Sequence, residues 1–358
     1  MNIENINRLP VITWRHLKIN DTALENLPQS VSKQNLPDFS LFPGIHSVNH
    51  KSEFDEIETG MGKETEAYTH AVANERKNLA VIDKIKKPIF YSYSLDKNLP
   101  AVVNTHEIIA EENSSSTFLF NYNSIDGSAV FHAGTTKIYA KAGSATKLIY
   151  VQTLNDESLA WENIGIEIEE NAKVEIIQVL LGGNRTLSGI KAKLKGQKSE
   201  FKIKSVYFGT NSQNIDLNYV AEHIGRETFT EILVDGALAN SAVKTLRSTI
   251  DFKSGAKHSV GRESEDVLIF SPTARNRTVP LILCSEEDVE GQHAASVGKV
   301  DQDKLFYLQS RGLSEIDAKK LLLEAKFAPA VEEIPDKEIC DRVRAYLERS
   351  VEINAESI

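Results

Sequence analysis

From about Ile89 onward the chain is written in a period of two, and that property removes most folds from consideration. KIYAK (137–141), KLIYVQ (147–152), IGIEIEE (164–170), KVEIIQVL (173–180), KAKL (191–194), FKIKSVYF (201–208), IDLNYV (215–220), TEILVD (230–235), KTLRSTIDF (244–252) and DVLIF (266–270) alternate or nearly so. Such alternation marks strands with one face buried and one wet. The breaks between them carry Gly, Asn or Ser, at Gly143–Ser144, Asn171, Gly182–Gly183, Gly196, Gly209 and Gly255, residues suited to tight turns. No helical pattern intervenes, which excludes a βαβ arrangement. An all-β region of this length must manage its sheet edges by closure, sandwiching or winding into a solenoid. AGSATKLIY, ENAKVEII and KGQKSEFK recur at intervals typical of repeat architectures. The residues alone fit a β-solenoid or a sandwich.

The flanks differ from this centre. Residues 1–97 read as mixed and mainly helical, broken by Pro28, Pro37 and Pro43, with helix formers on either side of Gly60 and Gly62. Residues 98–300 form the β core, and residues 301–358 turn helical again. Ser314 followed by Asp317 gives a capping box, and Ile316, Leu323 and Phe327 then recur at helical spacing, with the helix expected to end before Pro329. Pro335 and Asp336 open a last helix whose Ile339, Val343, Tyr346 and Leu347 share one face. Two amphipathic helices are therefore expected at the carboxy end.

With 358 residues, 41% apolar and 26% charged, the composition is that of a globular protein of two or three domains. The net charge of −10 offers no overall attraction to nucleic acid or anionic lipid. Two cysteines, Cys284 and Cys340, form no disulfide framework and suit a reducing compartment. The opening MNIENINRLPVITW lacks the basic and apolar regions of a signal peptide. No window approaches the roughly 18 apolar residues of a membrane span. Cytoplasm is the expected location. GMGKET (60–65) ends like a phosphate-binding loop, but the earlier glycine is replaced by Ile57.

The stretch GQHAASVGKVDQDKLFYLQSRGL (291–313), with DVLIFSPTARN (266–276) and TWRHLKIND (13–21), resembles the SufB/SufD family of iron–sulfur cluster assembly scaffolds. The likeness is specific over residues 200–350 and poor over the first 200. It implies a right-handed parallel β-helix core between helical ends, and it settles the solenoid over the sandwich. It also implies a non-catalytic role: pairing with a SufB-type paralogue, and docking of a SufC-type ABC ATPase around Leu305, Phe306, Tyr307, Leu308, Arg311, Gly312 and Leu313. A nascent iron–sulfur cluster, transient and shared with the partner, would form at the seam.

On residues alone His293, between Gly291 and Ala294–Ala295, reads as a polar side chain satisfied in a turn. The resemblance places it where the D-type subunit is proposed to help hold the cluster, and imidazole suits iron. Cys284 ends the apolar run VPLILC and reads as a small buried hydrophobe, with metal or persulfide chemistry as the alternative. B-type relatives carry a cysteine soon after the A-R-N-Y segment and tend to follow the histidine with Glu. Here the segment reads TARNRTVPLILC and Ala294 follows, so the chain is D-like. His223 reads as a turn histidine, His258 and Arg262 as a solvated polar cluster, and Cys340 as packing. Two other readings stand beside this one. The first is a SufB-like or homodimeric scaffold accepting persulfide sulfur. The second is a β-solenoid carbohydrate-active enzyme, which would need aromatic platforms; only Trp14 and Trp161 are available.

Overall fold

The computed structural model describes residues 1–13, 15–33, 36–37, 42–299 and 301–353. Two short strands, β1 (Ile3–Ile6) and β2 (Thr22–Leu24), pair antiparallel at the amino end. After β3 (Ile45–Ser47) and α1 (Lys63–Val72) the chain winds through β4 (Glu75–Val81), β5 (Ile89–Leu95), β6 (Ala101–Ala110), β7 (Ser115–Ser124), β8 (Phe131–Ala140) and β9 (Ala145–Thr153). It continues through β10 (Leu159–Ile168), β11 (Lys173–Leu181), β12 (Arg185–Leu194), β13 (Glu200–Gly209), β14 (Asn214–His223) and β15 (Phe229–Leu238). The last strands are β16 (Val243–Phe252), β17 (Ser259–Ile269), β18 (Arg275–Cys284) and β19 (Val289–Lys299). Helices α2 (Gln302–Ser310), α3 (Glu315–Val331) and α4 (Lys337–Ile353) follow.

From β4 onward, even-numbered strands build one parallel sheet and odd-numbered strands the other, so each consecutive pair is one rung of a parallel β-solenoid. Paired positions step by one rung, as with Leu159 opposite Arg185 and Val243 opposite Arg275. The alternation seen in the sequence is the division between lumen and outside. Ile164, Ile166, Leu217, Leu246 and Ile250 fill the lumen. The corners are built from left-handed residues, Asn113, Asn171, Asn211 and Asn240 among them, because a short polar side chain tolerates that conformation best after glycine. Corner also bonds to corner: Asn171 N–H donates to the Gln197 carbonyl at 2.9 Å and Glu227 N–H to that of Lys257 at 2.8 Å.

Both outer faces are largely covered, which explains why these strands are apolar on both sides. On the odd-numbered sheet Ile149, Ile177, Val179 and Phe208 pack against Leu323, Phe327, Val343 and Leu347 of α3 and α4. On the even-numbered sheet Val103, Ala133, Trp161 and Leu187 meet Ile3, Ile6, Met61 and Tyr68. GMGKET is the clasp that holds this amino-terminal layer. Gly60 N–H donates to the Ile164 carbonyl at 3.1 Å, Met61 N–H to Asn163 Oδ1 at 2.8 Å, and Asn218 Nδ2 to the Gly60 carbonyl at 2.8 Å. A Cβ on Gly60 would lie 2.1 Å from the Ile190 nitrogen, so only glycine can approach the sheet this closely.

The two ends of the solenoid are unlike. At the start, β3 lies antiparallel along β4, and Leu36, Phe42 and Ile85 pack against the end of the core. At the finish, β18 and β19 each have one neighbouring strand, and β19 is exposed over nearly its whole length.

The flanks depart from expectation in three places. Residues 1–97, expected to be mainly helical, hold one α-helix among the described residues, and solenoid strands begin at Glu75. Among the described residues the carboxy end holds three helices, because Asp301 caps α2 by accepting from the backbone N–H groups of Asp303 and Lys304. Helix α3 starts at the Ser314 cap as expected but runs through Pro329 to Val331. A proline this close to the end forfeits one hydrogen bond, and Glu332 N–H still closes the turn on the Ala328 carbonyl at 2.9 Å. Burying Ala330 and Val331 against the sheet outweighs that loss.

Candidate functional site

His293 is not in a turn. It lies in the middle of β19, opposite Glu263 of β17, and is exposed. Small residues in GQHAASVGK hid the strand, since Gly and Ala carry no alternation. Parallel partners point to the same side, and Glu263 shares the buried phase of β17 with Ser259, Gly261, Glu265 and Val267. His293 therefore takes the inward phase of the last rung, at the open mouth. Gly291, two residues earlier, sits against Ile282 and Phe252, where an added Cβ would lie 3.1 Å from Ile282 and 3.3 Å from Phe252.

Just inside the mouth is a buried charged group. The Lys244 ammonium donates to Glu265, both side chains being fully buried, and the Thr278 hydroxyl donates to the other Glu265 oxygen at 2.6 Å. Burial lowers the Lys244 pKa against the pull of Glu265. The Glu263 carboxyl is raised to about 7, first by burial and then by the Glu265 charge, with Lys244 working the other way. The sequence carried a sign of this, because Glu263 and Glu265 stand in phase with Val267 on the apolar side of the alternation.

Cys284 corrects its expectation as well. It ends β18 opposite Phe252 of β16 and is exposed rather than buried, because no further strand covers β18. His293 and Cys284 thus belong to the same last rung but to different sheets. Among the described residues no three His, Cys, Asp or Glu side chains come together as a metal site. Cluster ligation takes four ligands, and the chain's described residues do not form such a set by themselves.

His223 is a core residue, not a turn residue. Its Nδ1 lies 2.7 Å from the Thr228 hydroxyl, Nε2 has no partner among the described residues, and its ring packs 4.6 Å from Phe252. Burial depresses its pKa to about 3, and the buried His106 likewise. Folded protein then holds both imidazoles neutral where the unfolded chain protonates them. Their contribution is complete above pH 6.5 and drains away as pH falls toward 3. The urea midpoint is expected to decline across that window, and His223→Gln to flatten the decline by up to about 1.4 kcal/mol per pH unit. Parallel curves for parent and variant would remove His223 as a cause.

His258, at a left-handed corner, pairs with Asp288 at 3.0 Å, and Arg262 lies 3.6 Å from Glu290, so both tie β17 to the last rung from outside. The Cys340 thiol is buried, donates to the carbonyls of Val331 and Ile334, and has its pKa raised by burial. Trp161 lies in the core against Tyr68 and Phe131 and offers no platform to a sugar; Trp14 lies outside the described residues.

Of the segment 305–313, Phe306 and Tyr307 stand 72% and 56% exposed, with the Arg311 guanidinium 5.3 Å over the Tyr307 ring. Gly312, at φ 95, turns the chain between α2 and α3. Leu308 and Leu313 are half-buried, whereas Leu305 is buried against Ala318, Leu268 and Phe270 and is not a surface residue.

A family model described as "SUF system FeS cluster assembly, SufBD core domain" matches residues 93–326. The iron-sulfur cluster assembly protein SufD of Bacillus subtilis is 29% identical over 271 residues, 75% of this chain and 62% of that protein. Iron-sulfur cluster assembly SufBD family proteins of Mycobacterium leprae and Mycobacterium tuberculosis are each 24% identical. The first covers 57% of this chain and 24% of its own, the second 52% and 49%. The chain thus spans less than two thirds of each of these relatives.

Proposed function

Because the chain belongs to the SufBD family of SUF-system iron–sulfur cluster assembly proteins, we propose that it is the SufD-type subunit of a cytoplasmic assembly scaffold. It pairs with a SufB-type paralogue through the open end of its solenoid. The observation that carries this reading is the position of His293, an imidazole at the mouth of an uncovered last rung. A row of free backbone donors and acceptors along β18 and β19 suits strand addition by a second solenoid. The seam so formed adds the partner's thiolates and carboxylates to His293, and the cluster is the cargo held there. Phe306, Tyr307 and Arg311 dock a SufC-type ATPase. Leu268, beneath α2, belongs to β17, the strand beside β19, so a partner held by α2 acts within one strand of His293.

Co-expression with the paralogue and the ATPase, followed by purification without air, tests the reading. His293→Ala is expected to leave the complex assembled while iron and labile sulfide fall about ten-fold or more. Unchanged iron and sulfide would refute it. The exposed thiol of Cys284 supports a second reading, a scaffold that itself accepts sulfur. Persulfide on Cys284 after treatment with a cysteine desulfurase, in the same preparation, selects that reading over the first.

A further inference from the structure

The amino-terminal layer reaches the last strand of the even-numbered sheet, and its contacts advance strand by strand. Arg185 of β12 donates to the Thr22 hydroxyl at 2.7 Å, and Asn7 Nδ2 donates to Asp216 Oδ1 of β14 at 2.7 Å. Arg247 of β16 donates to the Ile19 carbonyl at 2.6 Å. Leu9 and Ile19 then pack on Val279 of β18, with Leu281 partly buried beside them. The outgoing and returning chain thus both arrive at β18, and residues 10–13 and 16–18 belong to the loop that joins them at the free edge of the sheet. This loop is tied to itself. Leu9 N–H donates to the Asn20 carbonyl at 2.8 Å, and Asn20 Oδ1 accepts from the Thr13 N–H at 2.8 Å and the Thr13 hydroxyl at 3.0 Å.

Val11, Ile12 and Leu17 of the loop are 50%, 48% and 47% exposed. Single exposed apolar residues are ordinary on a monomer, but three together at the rim of an unpaired strand mark an interaction surface. Cations accompany them. Arg275 and Arg277 share the outer phase of β18 with Val279, and Lys18 belongs to the loop. The ion pairs of this end of the molecule are Arg247–Asp216, Lys253–Asp251, His258–Asp288 and Arg262–Glu290. Lys18, Arg275 and Arg277 have no such partner among the described residues. In a chain of net charge −10, three cations left over beside an open edge suit carboxylates brought by another molecule.

We propose that this loop is a gripping rim, which covers the outer face of the strand that a partner solenoid adds to β18. The proposal rests on the reading that pairing takes place at the open end, and it assigns a contact surface outside the strand edges. An added strand lies about 4.7–4.9 Å beyond β18, and every second side chain on it faces outward, level with Val279 and Leu281. Val11, Ile12 and Leu17 pack on an apolar side chain there, and Lys18, Arg275 and Arg277 take the carboxylates beside it. The occupant is the SufB-type paralogue, with an edge strand that is apolar and acid-flanked on that face. The β18 of a second copy, RNRTVPLILC, has no carboxylate to offer.

The affinity of the purified whole chain for the paralogue, measured by sedimentation, tests the rim. Val11→Ser combined with Leu17→Ser should weaken binding about ten-fold or more, with unchanged thermal unfolding as the control for folding. Arg277→Glu should slow association and reduce its dependence on salt. A photo-crosslinker on the exposed Cys284 thiol, at the end of β18, reports pairing at the open end independently of the loop. Crosslinking to the paralogue with an affinity indifferent to the loop substitutions overturns the rim and leaves the pairing standing. Absence of crosslinking removes the pairing itself, and the rim with it. Substitutions that weaken self-association but not binding of the paralogue overturn the proposal in favour of a second copy.

Discussion

Arg247→Ala is expected to destabilise the protein by about 3–5 kcal/mol, the cost of stranding a buried charge. The Arg247 guanidinium is 1% exposed and bonds Asp216 Oδ1 at 2.7 Å. It also donates to the carbonyls of Ile19 at 2.6 Å and Asp21 at 3.2 Å. Asp216 accepts from Asn7 Nδ2 at 2.7 Å as well. One side chain thus ties β16 to β14 and both strands to the amino-terminal layer. Without it, Asp216 is left buried with an amide for a partner, and the carbonyls of residues 19 and 21 lose their donors. Urea denaturation should show the loss, and protease cleavage should move into residues 8–25. A loss below about 1 kcal/mol with the same cleavage pattern would show that the layer is held by its apolar contacts alone.

Lys244→Met should cost a similar amount for a different reason. Glu265 keeps only the Thr278 hydroxyl when the ammonium goes, and a lone carboxylate in the lumen is strongly disfavoured. Replacing both members, Lys244→Met with Glu265→Leu, should return the protein to within about 1–2 kcal/mol of the parent or better, since well-packed apolar residues often replace buried ion pairs without loss. A double-mutant cycle in urea measures the coupling. If the double variant is as unstable as the single one, the charges are not what the lumen must satisfy.

The strands were legible because their alternation has one cause, an apolar lumen repeated at every rung. IGIEIEE and FKIKSVYF fall in β10 and β13 for that reason. Asn and Gly at the breaks were legible because a left-handed corner selects them. β19 was not, since GQHAASVGK has too few large side chains to alternate and is a strand only through its pairing with β17. In residues 1–97 the helix formers after Gly62 do give α1, but ERKNLAV and IFYSYSL, which open the solenoid as β4 and β5, are strands through pairing with the rungs that follow. Of the candidate site, His293 was found through resemblance rather than through chemistry visible in the chain. The exposure of Cys284 depends on the absence of a further strand beside β18, which local sequence does not encode. The charged group within the mouth was signalled by Glu263 and Glu265 on the apolar phase.

The antiparallel lid formed by β3 has a consequence for assembly. A stack of parallel rungs with two bare termini could extend without limit, each molecule adding to the next as in a fibre. Here Ile45–Ser47 runs against the direction of winding and covers the edge of the even-numbered sheet, leaving β5 as the edge of the other, so the two termini differ in their capacity to join. An antiparallel strand along half of one end cannot serve as the next parallel rung there, so head-to-tail addition of identical rungs is interrupted at that sheet.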